Sequence, residues 1–139
     1  MDRPYPLERF RREIAEGHVW YWTLEEAPIA TVTLLPQRPE YYPREIWDDG
    51  APAWYLCRFA VARKLAGRSI GVRLLDQLAI DAERSGVAAL RLDVVSSNPF
   101  LERYYLEHGF RSRGIAEILG QRVLLLERRT RPWLTRLHS

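Results

Sequence analysis

Cysteine is almost absent: Cys57 is the only one in 139 residues. That excludes an internal disulfide and any multi-cysteine zinc or iron–sulfur centre, so packing must hold the fold. Histidine is scarce too, and His18, His108 and His138 are too scattered to point to a metal site. Lysine is nearly missing, Lys64 being the one lysine among 21 basic residues that face 18 acidic ones. The net charge of +3 is too small for the continuous basic stripe of a dedicated nucleic-acid binder, and it suits an anionic small ligand at one site. No apolar run approaches the roughly 18 residues of a membrane-spanning helix. The start, MDRPYPLERFRREIAEG, lacks the apolar block of a secretory signal, and a cytoplasmic location is expected. Neither GxGxxG nor Gly-Lys-Ser/Thr occurs, which argues against dinucleotide and nucleoside-triphosphate folds.

What is present is one domain's worth of chain, residues 1–139, in which helical and strand patterns alternate without repeats. Leu7, Phe10 and Ile14 fall on one face of a helix expected over residues 6–16, with Pro6 at its start and Gly17 at its end. HVWYWTLE (18–25) and IATVTLL (29–35) read as an antiparallel hairpin turning at Glu26-Ala27-Pro28. A long connection follows from Pro36 to Pro52. Its Tyr41, Tyr42 and Trp47 beside Glu40, Asp48 and Asp49 look like a recognition segment. AWYLCRFAV (53–61) reads as a central buried strand, residues 69–85 as the longest helix and VAALRLDVV (87–95) as a second buried strand, joined in a right-handed crossover. Asn98-Pro99 caps a helix ending at Gly109, and residues 114–119 and 122–127 form a last hairpin around Gly120-Gln121. The class is α+β, with antiparallel strands at both ends of a mixed sheet.

Two stretches carry chemistry. FAVARKLAGRSIG (59–71) sets a buried strand end, a turn with Gly67, Ser69 and Gly71, and a helix start in direct succession. Small residues there let a diphosphate approach the free N–H groups and the positive end of the helix dipole. About 30 residues on, NPFLERYYLEHGF holds Asn98, Leu101, Tyr104, Tyr105, Gly109 and Phe110. The strand FAV, the turn AGRSIG with its helix, the strand LRLDVV and this N-x-x-(small)-x-x-x-Y-x-x-x-G-F pattern together resemble the GNAT superfamily of acyl-CoA-dependent N-acyltransferases, over roughly residues 53–112. Ala66 stands where the family turn usually has Gln or Arg, Ser69 where its first glycine falls, and Leu101 where a small residue is common.

The resemblance implies a twisted, mostly antiparallel sheet with a splayed central strand pair and flanking helices. The arm of acetyl-CoA would lie in the splay against the main chain of Phe59, Ala60 and Val61, with its diphosphate on Ala66, Gly67, Arg68, Ser69, Ile70, Gly71 and Val72. Asn98 would bond the arm. Tyr105 would face the thioester sulfur and give a proton to the departing thiolate while a primary amine of a small-molecule acceptor attacks directly, with no metal. No residue is singled out to take the amine's proton; Glu40, Asp48, Asp49 and Asp93 are candidates, and for Asp93 a salt bridge to an arginine is an equal reading. Cys57 reads as inert packing.

A second reading, favoured by Ala66 and Ser69, is a family member that binds CoA or a protein partner without catalysis. Against the family pattern the chain enters late, lacking the usual first strand and helix. Residues 18–25 would then present an unpaired aromatic edge, from which a homodimer is expected. Nucleic acid and membrane are not expected partners.

Overall fold

Helix α1 (Leu7–Ala15) opens the fold and the hairpin β1 (Val19–Leu24) and β2 (Ala27–Leu35) follows it. Strand β3 (Ala53–Val61), helix α2 (Ile70–Arg84), strand β4 (Ala89–Val95), helix α3 (Pro99–Leu106) and the hairpin β5 (Arg111–Ile118) and β6 (Gln121–Arg129) complete it. The computed structural model describes residues 7–65 and 69–130. One six-stranded sheet runs in the order β1-β2-β3-β4-β6-β5, so the expected α+β class and the central place of β3 hold. Every pairing is antiparallel except β3 with β4, which α2 joins as the expected crossover. Among the described residues no helix is long and apolar enough to cross a membrane.

Both hairpin turns differ from expectation. The first falls on Glu25-Glu26, with φ of 51° and 70°, rather than on Glu26-Ala27-Pro28. Two successive left-handed residues match the right-handed twist of the flanking strands, so geometry here overrides the usual Asn-Gly chemistry. The last turn lies at Leu119-Gly120, φ 52° and 80°, one residue before Gly120-Gln121. Strand β5 also begins earlier than expected, directly after Phe110.

The sheet has two differently covered faces. On one, Leu75, Leu78, Ala79 and Ala82 of α2 and Tyr105 of α3 pack on Val32, Leu34, Leu56, Leu90, Leu92, Val94 and Leu126. On the other, the connection 36–52 lays Tyr42, Ile46 and Trp47 on Ala53, Tyr55, Ala89, Val123 and Leu125, and α1 lies beside it with Glu13 reaching Arg58. The helix-covered face follows from period: 75, 78, 79 and 82 form one stripe of α2, and alternate strand residues point the same way.

One buried cation holds the second face. Arg91 of β4, 1% exposed, donates to Glu127 (2.8 Å), to the Tyr55 hydroxyl (3.1 Å) and to Asp49 (2.6 Å), and its guanidinium lies 4.5 Å from the centre of the Trp47 ring. Burial alone would depress its pKa, but the bonds it donates to Asp49, Glu127 and Tyr55 outweigh that and raise it. The same contact holds the Asp49 carboxyl below its ordinary value. Trp47 takes its place with a left-handed φ of 60°, a conformation non-glycine residues adopt only where surrounding contacts impose it.

Arg91→Leu should therefore lower unfolding stability by about 2 kcal/mol or more, because it takes the partner from one oxygen of the buried Glu127, whose other oxygen stays with Arg113, and from the Tyr55 hydroxyl. Asp49→Asn, at an exposed carboxylate, should cost less than about 1 kcal/mol. Urea denaturation of both variants checks this, and equal costs would show that the network does not work through its buried end.

Candidate active site

Strands β3 and β4 pair over only Ala53↔Ala89, Trp54↔Leu90 and Tyr55↔Arg91. Beyond Tyr55 the two strands part, β3 continuing along β2 and β4 along β6. The β4-side edge of β3 from Leu56 onward is thus left without a strand partner, and a wedge opens in the middle of the sheet. Inside it β3 carries a bulge: Thr33 pairs with Cys57 but Thr31 with Ala60, so β3 has one extra residue there, and Arg58 has φ of 51°. Bulges of this kind re-aim backbone groups beside binding sites. The Arg58 side chain is tied to Glu13 and Thr33 on the loop-covered face.

A cleft of about 440 Å³ lies on the helix-covered side of the wedge, between the end of β3, the start of α2 and one face of α3. Of the residues given a binding or catalytic role from the sequence it brings together Phe59, Val61, Ser69, Ile70, Gly71, Val72 and Tyr105. Ala60, between Phe59 and Val61, does not line the cleft. Ala66, Gly67 and Arg68 lie outside the described residues. Asn98 does not line the cleft; its Oδ1 accepts the Leu101 N–H at 3.2 Å as the N-cap of α3. The cap engages only the carbonyl oxygen, leaving the amide end as a donor.

Leu65, Leu101, Tyr104 and His108 line the cleft beyond the predicted set. Their signal was present in part, since 101, 104, 105 and 108 share one helical face. Tyr104 packs edge-on against both Tyr105 (5.3 Å) and His108 (4.8 Å), and Tyr105 in turn against Phe110 (5.2 Å). Tyr105 is 7% exposed, and burial, then the neighbouring Tyr104, push its phenol above the ordinary value.

The α2 end of the cleft suits an anion. Ser69 occupies the N-cap position with a left-handed φ of 60° and makes no side-chain cap bond, and the first turn of α2 contains no acidic residue. Among the described residues no side chain caps its first N–H groups, which with the positive dipole end can meet an anion. Gly71 is needed for approach of a different kind: a methyl group there would overlap the Tyr104 hydroxyl and meet Val61 at 3.6 Å. The residues present therefore fit a long ligand with an anionic middle, its backbone-bonding arm in the wedge and its charge at α2.

On the opposite face of the wedge stand Asp93, Cys57, Tyr41 and Tyr42. The Tyr42 hydroxyl donates to Asp93. Burial, then Asp93, push the Cys57 thiol up to about 12, which leaves it protonated and inert at neutral pH. The other carboxylates considered for a proton-accepting role are placed elsewhere: Glu40 and Asp48 are exposed, and Asp49 is clamped by Arg91.

Residues 1–124 match the acetyltransferase (GNAT) family. The chain is 34% identical over 103 residues to the uncharacterized N-acetyltransferase YesJ of Bacillus subtilis (strain 168), covering 73% of this chain and 57% of that protein, so it spans little more than half the length of this curated relative. Its fold is similar to a GNAT-family acetyltransferase from Listeria monocytogenes 4b F2365, with a TM-score of 0.75 at 22% identity over 90% of this chain and 72% of that one. It is also similar to a GNAT-family acetyltransferase from Elizabethkingia anophelis with acetyl-CoA bound, with a TM-score of 0.68 at 19% identity over 89% and 83% of the two chains. The chain belongs to the GNAT acetyltransferase family, and its mixed α+β sheet with flanking helices is the fold of that family.

Gly71→Val should reduce acetyl-CoA affinity by at least about 10-fold while the far-ultraviolet spectrum stays unchanged, because the added methyls displace the Tyr104 ring into the cleft. Calorimetry checks this; unchanged affinity would place the ligand away from α2.

Proposed function

We propose that the protein transfers an acetyl group from acetyl-CoA to a primary amine of a small-molecule acceptor, by direct attack in a ternary complex in the cytoplasm. The observation that carries this reading is the convergence on one cleft of the parted β3–β4 pair, the N-terminus of α2, where Ser69 makes no side-chain cap bond, and Tyr105 of α3. In this reading the backbone of Phe59, Ala60 and Val61 meets the extended arm, Asn98 donates to it, and residues 66–72 carry the diphosphate. A backbone N–H at the β3 bulge stabilises the oxyanion. Tyr105 gives its proton to the leaving thiolate; burial keeps the phenol protonated at neutral pH, the state a proton donor requires. The acetyl-CoA seen in the Elizabethkingia relative supports the choice of donor.

Acetyl-CoA should raise the melting temperature, as any ligand selective for the folded state does. Tyr105→Phe should lower turnover by about 10- to 1000-fold with acetyl-CoA affinity nearly unchanged. Thiol-release assays over a panel of primary amines check the second outcome. Full turnover in the variant would return Tyr105 to a purely structural role, and binding of acetyl-CoA without transfer to any amine would favour the non-catalytic reading.

A homodimer completes the proposal. Trp20 (56% exposed), Tyr21 (67%) and Leu24 (57%) lie on β1, an edge strand, where unpaired backbone and apolar side chains invite a second copy. Sedimentation at micromolar concentration should give the dimer mass; a monomer with Trp20 shielded from a soluble quencher would overturn this.

A further inference from the structure

The last β3–β4 pair, Tyr55↔Arg91, points to the loop-covered face, so the next residues on that face are Cys57 of β3 and Asp93 of β4, at the throat of the wedge. Asp93 has no ion pair among the described residues. Arg91, the cation nearest along its own strand, directs its nitrogens to Glu127, Tyr55 and Asp49 instead. The groups facing Asp93 from packed elements are the Tyr42 hydroxyl on the connection 36–52 and the Cys57 thiol on β3, which in turn has Tyr41 of the connection, Glu13 of α1 and Arg58 of β3 around it, the last two paired with each other; the β6 partner of Asp93, Leu125, is apolar. The salt-bridge reading of Asp93 finds no arginine partner among the described residues. A partly buried carboxylate at the throat, with one phenol bonded to it and no cation paired with it among the described residues, is arranged to accept a proton.

We propose that Asp93 takes the proton from the acceptor amine and that Tyr42, reaching in from the long connection, is the positioning residue that holds it. The assignment rests on the acetyl-transfer reading. An ammonium arriving at the throat gives one proton to the Asp93 carboxylate, which frees the nitrogen lone pair. The N–C bond forms at the thioester carbonyl and the C–S bond breaks with its electron pair on sulfur. Sulfur takes the Tyr105 proton, the second proton of the nitrogen returns to the Tyr105 oxygen, and Asp93 releases its own to water. Burial raises the Asp93 carboxyl above the ordinary range, and the Tyr42 bond pulls it partway back. Asp93 is therefore a working base only above that raised value, and loss of the Tyr42 bond must raise it further.

The test compares the wild type, Asp93→Asn and Tyr42→Phe, with acetyl-CoA binding measured by calorimetry and thiol release measured against pH with glycinamide, ethanolamine and 1,4-diaminobutane. Asp93→Asn should bind acetyl-CoA within about 3-fold of the wild type and lose about 100-fold or more in kcat/KM at neutral pH. The loss should shrink as rising pH deprotonates the amine itself. Tyr42→Phe should keep the rate at the alkaline plateau and move the acidic limb to higher pH, a shift that a merely structural role would not produce. Wild-type kcat/KM in Asp93→Asn, or an unmoved limb in Tyr42→Phe, overturns the assignment while leaving the acetyl-transfer reading intact. A wild type that binds acetyl-CoA and acetylates none of the amines overturns both. If Asp93→Asn fails to fold, the limb of Tyr42→Phe decides alone.

Discussion

The contact between Arg91 and Tyr55 is where the sheet stops being continuous. These two residues are the last pair that β3 and β4 share, and a side-chain bond of 3.1 Å joins them on the same face. Above them the two strands run together; below them each follows its other neighbour. A guanidinium with three committed partners and an aromatic ring against it cannot slide along the strand, so the point at which the wedge opens is set by chemistry as well as by backbone twist. The same cation ties Asp49 and Trp47 of the long connection to the sheet, and thereby determines how the segment carrying Tyr41 and Tyr42 crosses the wedge.

The two faces then divide the work. The helix-covered face offers small residues, free N–H groups and two tyrosines around a cleft, an environment for a long anionic donor. The loop-covered face offers a carboxylate, a phenol and a protonated thiol, an environment for handling a proton. The wedge joins the two because neither β3 nor β4 fills it. In the proposed reaction, helices on one side and a loop on the other are complementary halves of one site.

Of the six left-handed non-glycine residues among those described, the three outside the hairpin turns fall at the same places. Arg58 in the bulge of β3, Ser69 at the head of α2 and Trp47 over Arg91 all hold left-handed φ values without being glycine. Each costs on the order of 1 kcal/mol or more and persists only because its surroundings impose it. The bulge is held by Glu13 and Thr33 on the Arg58 side chain, and Trp47 by the cation beneath it. Two such positions border the wedge or its cleft, and the third holds the connection that covers it.

The sequence by itself determined the elements and the family. Period-two and period-3.6 patterns set the strands and helices to within a few residues, and the spacing from Asn98 through Tyr105 to Gly109 and Phe110 singled out α3, which lines the cleft. Local patterns can do this because each is decided within one turn or one strand. Only the tertiary structure decided which side chains meet. That Arg91 pairs with Glu127 and Asp49, 36 and 42 residues away, depends on strand order and register, which no window of sequence contains. For the same reason Asp93 stood level with Glu40, Asp48 and Asp49 as a candidate base until the fold exposed two of them, clamped the third and placed Asp93 at the throat. The turn at Glu25-Glu26 was hidden for a different reason: its conformation is imposed by the twist of the strands on either side, and glutamate carries no local signal for it.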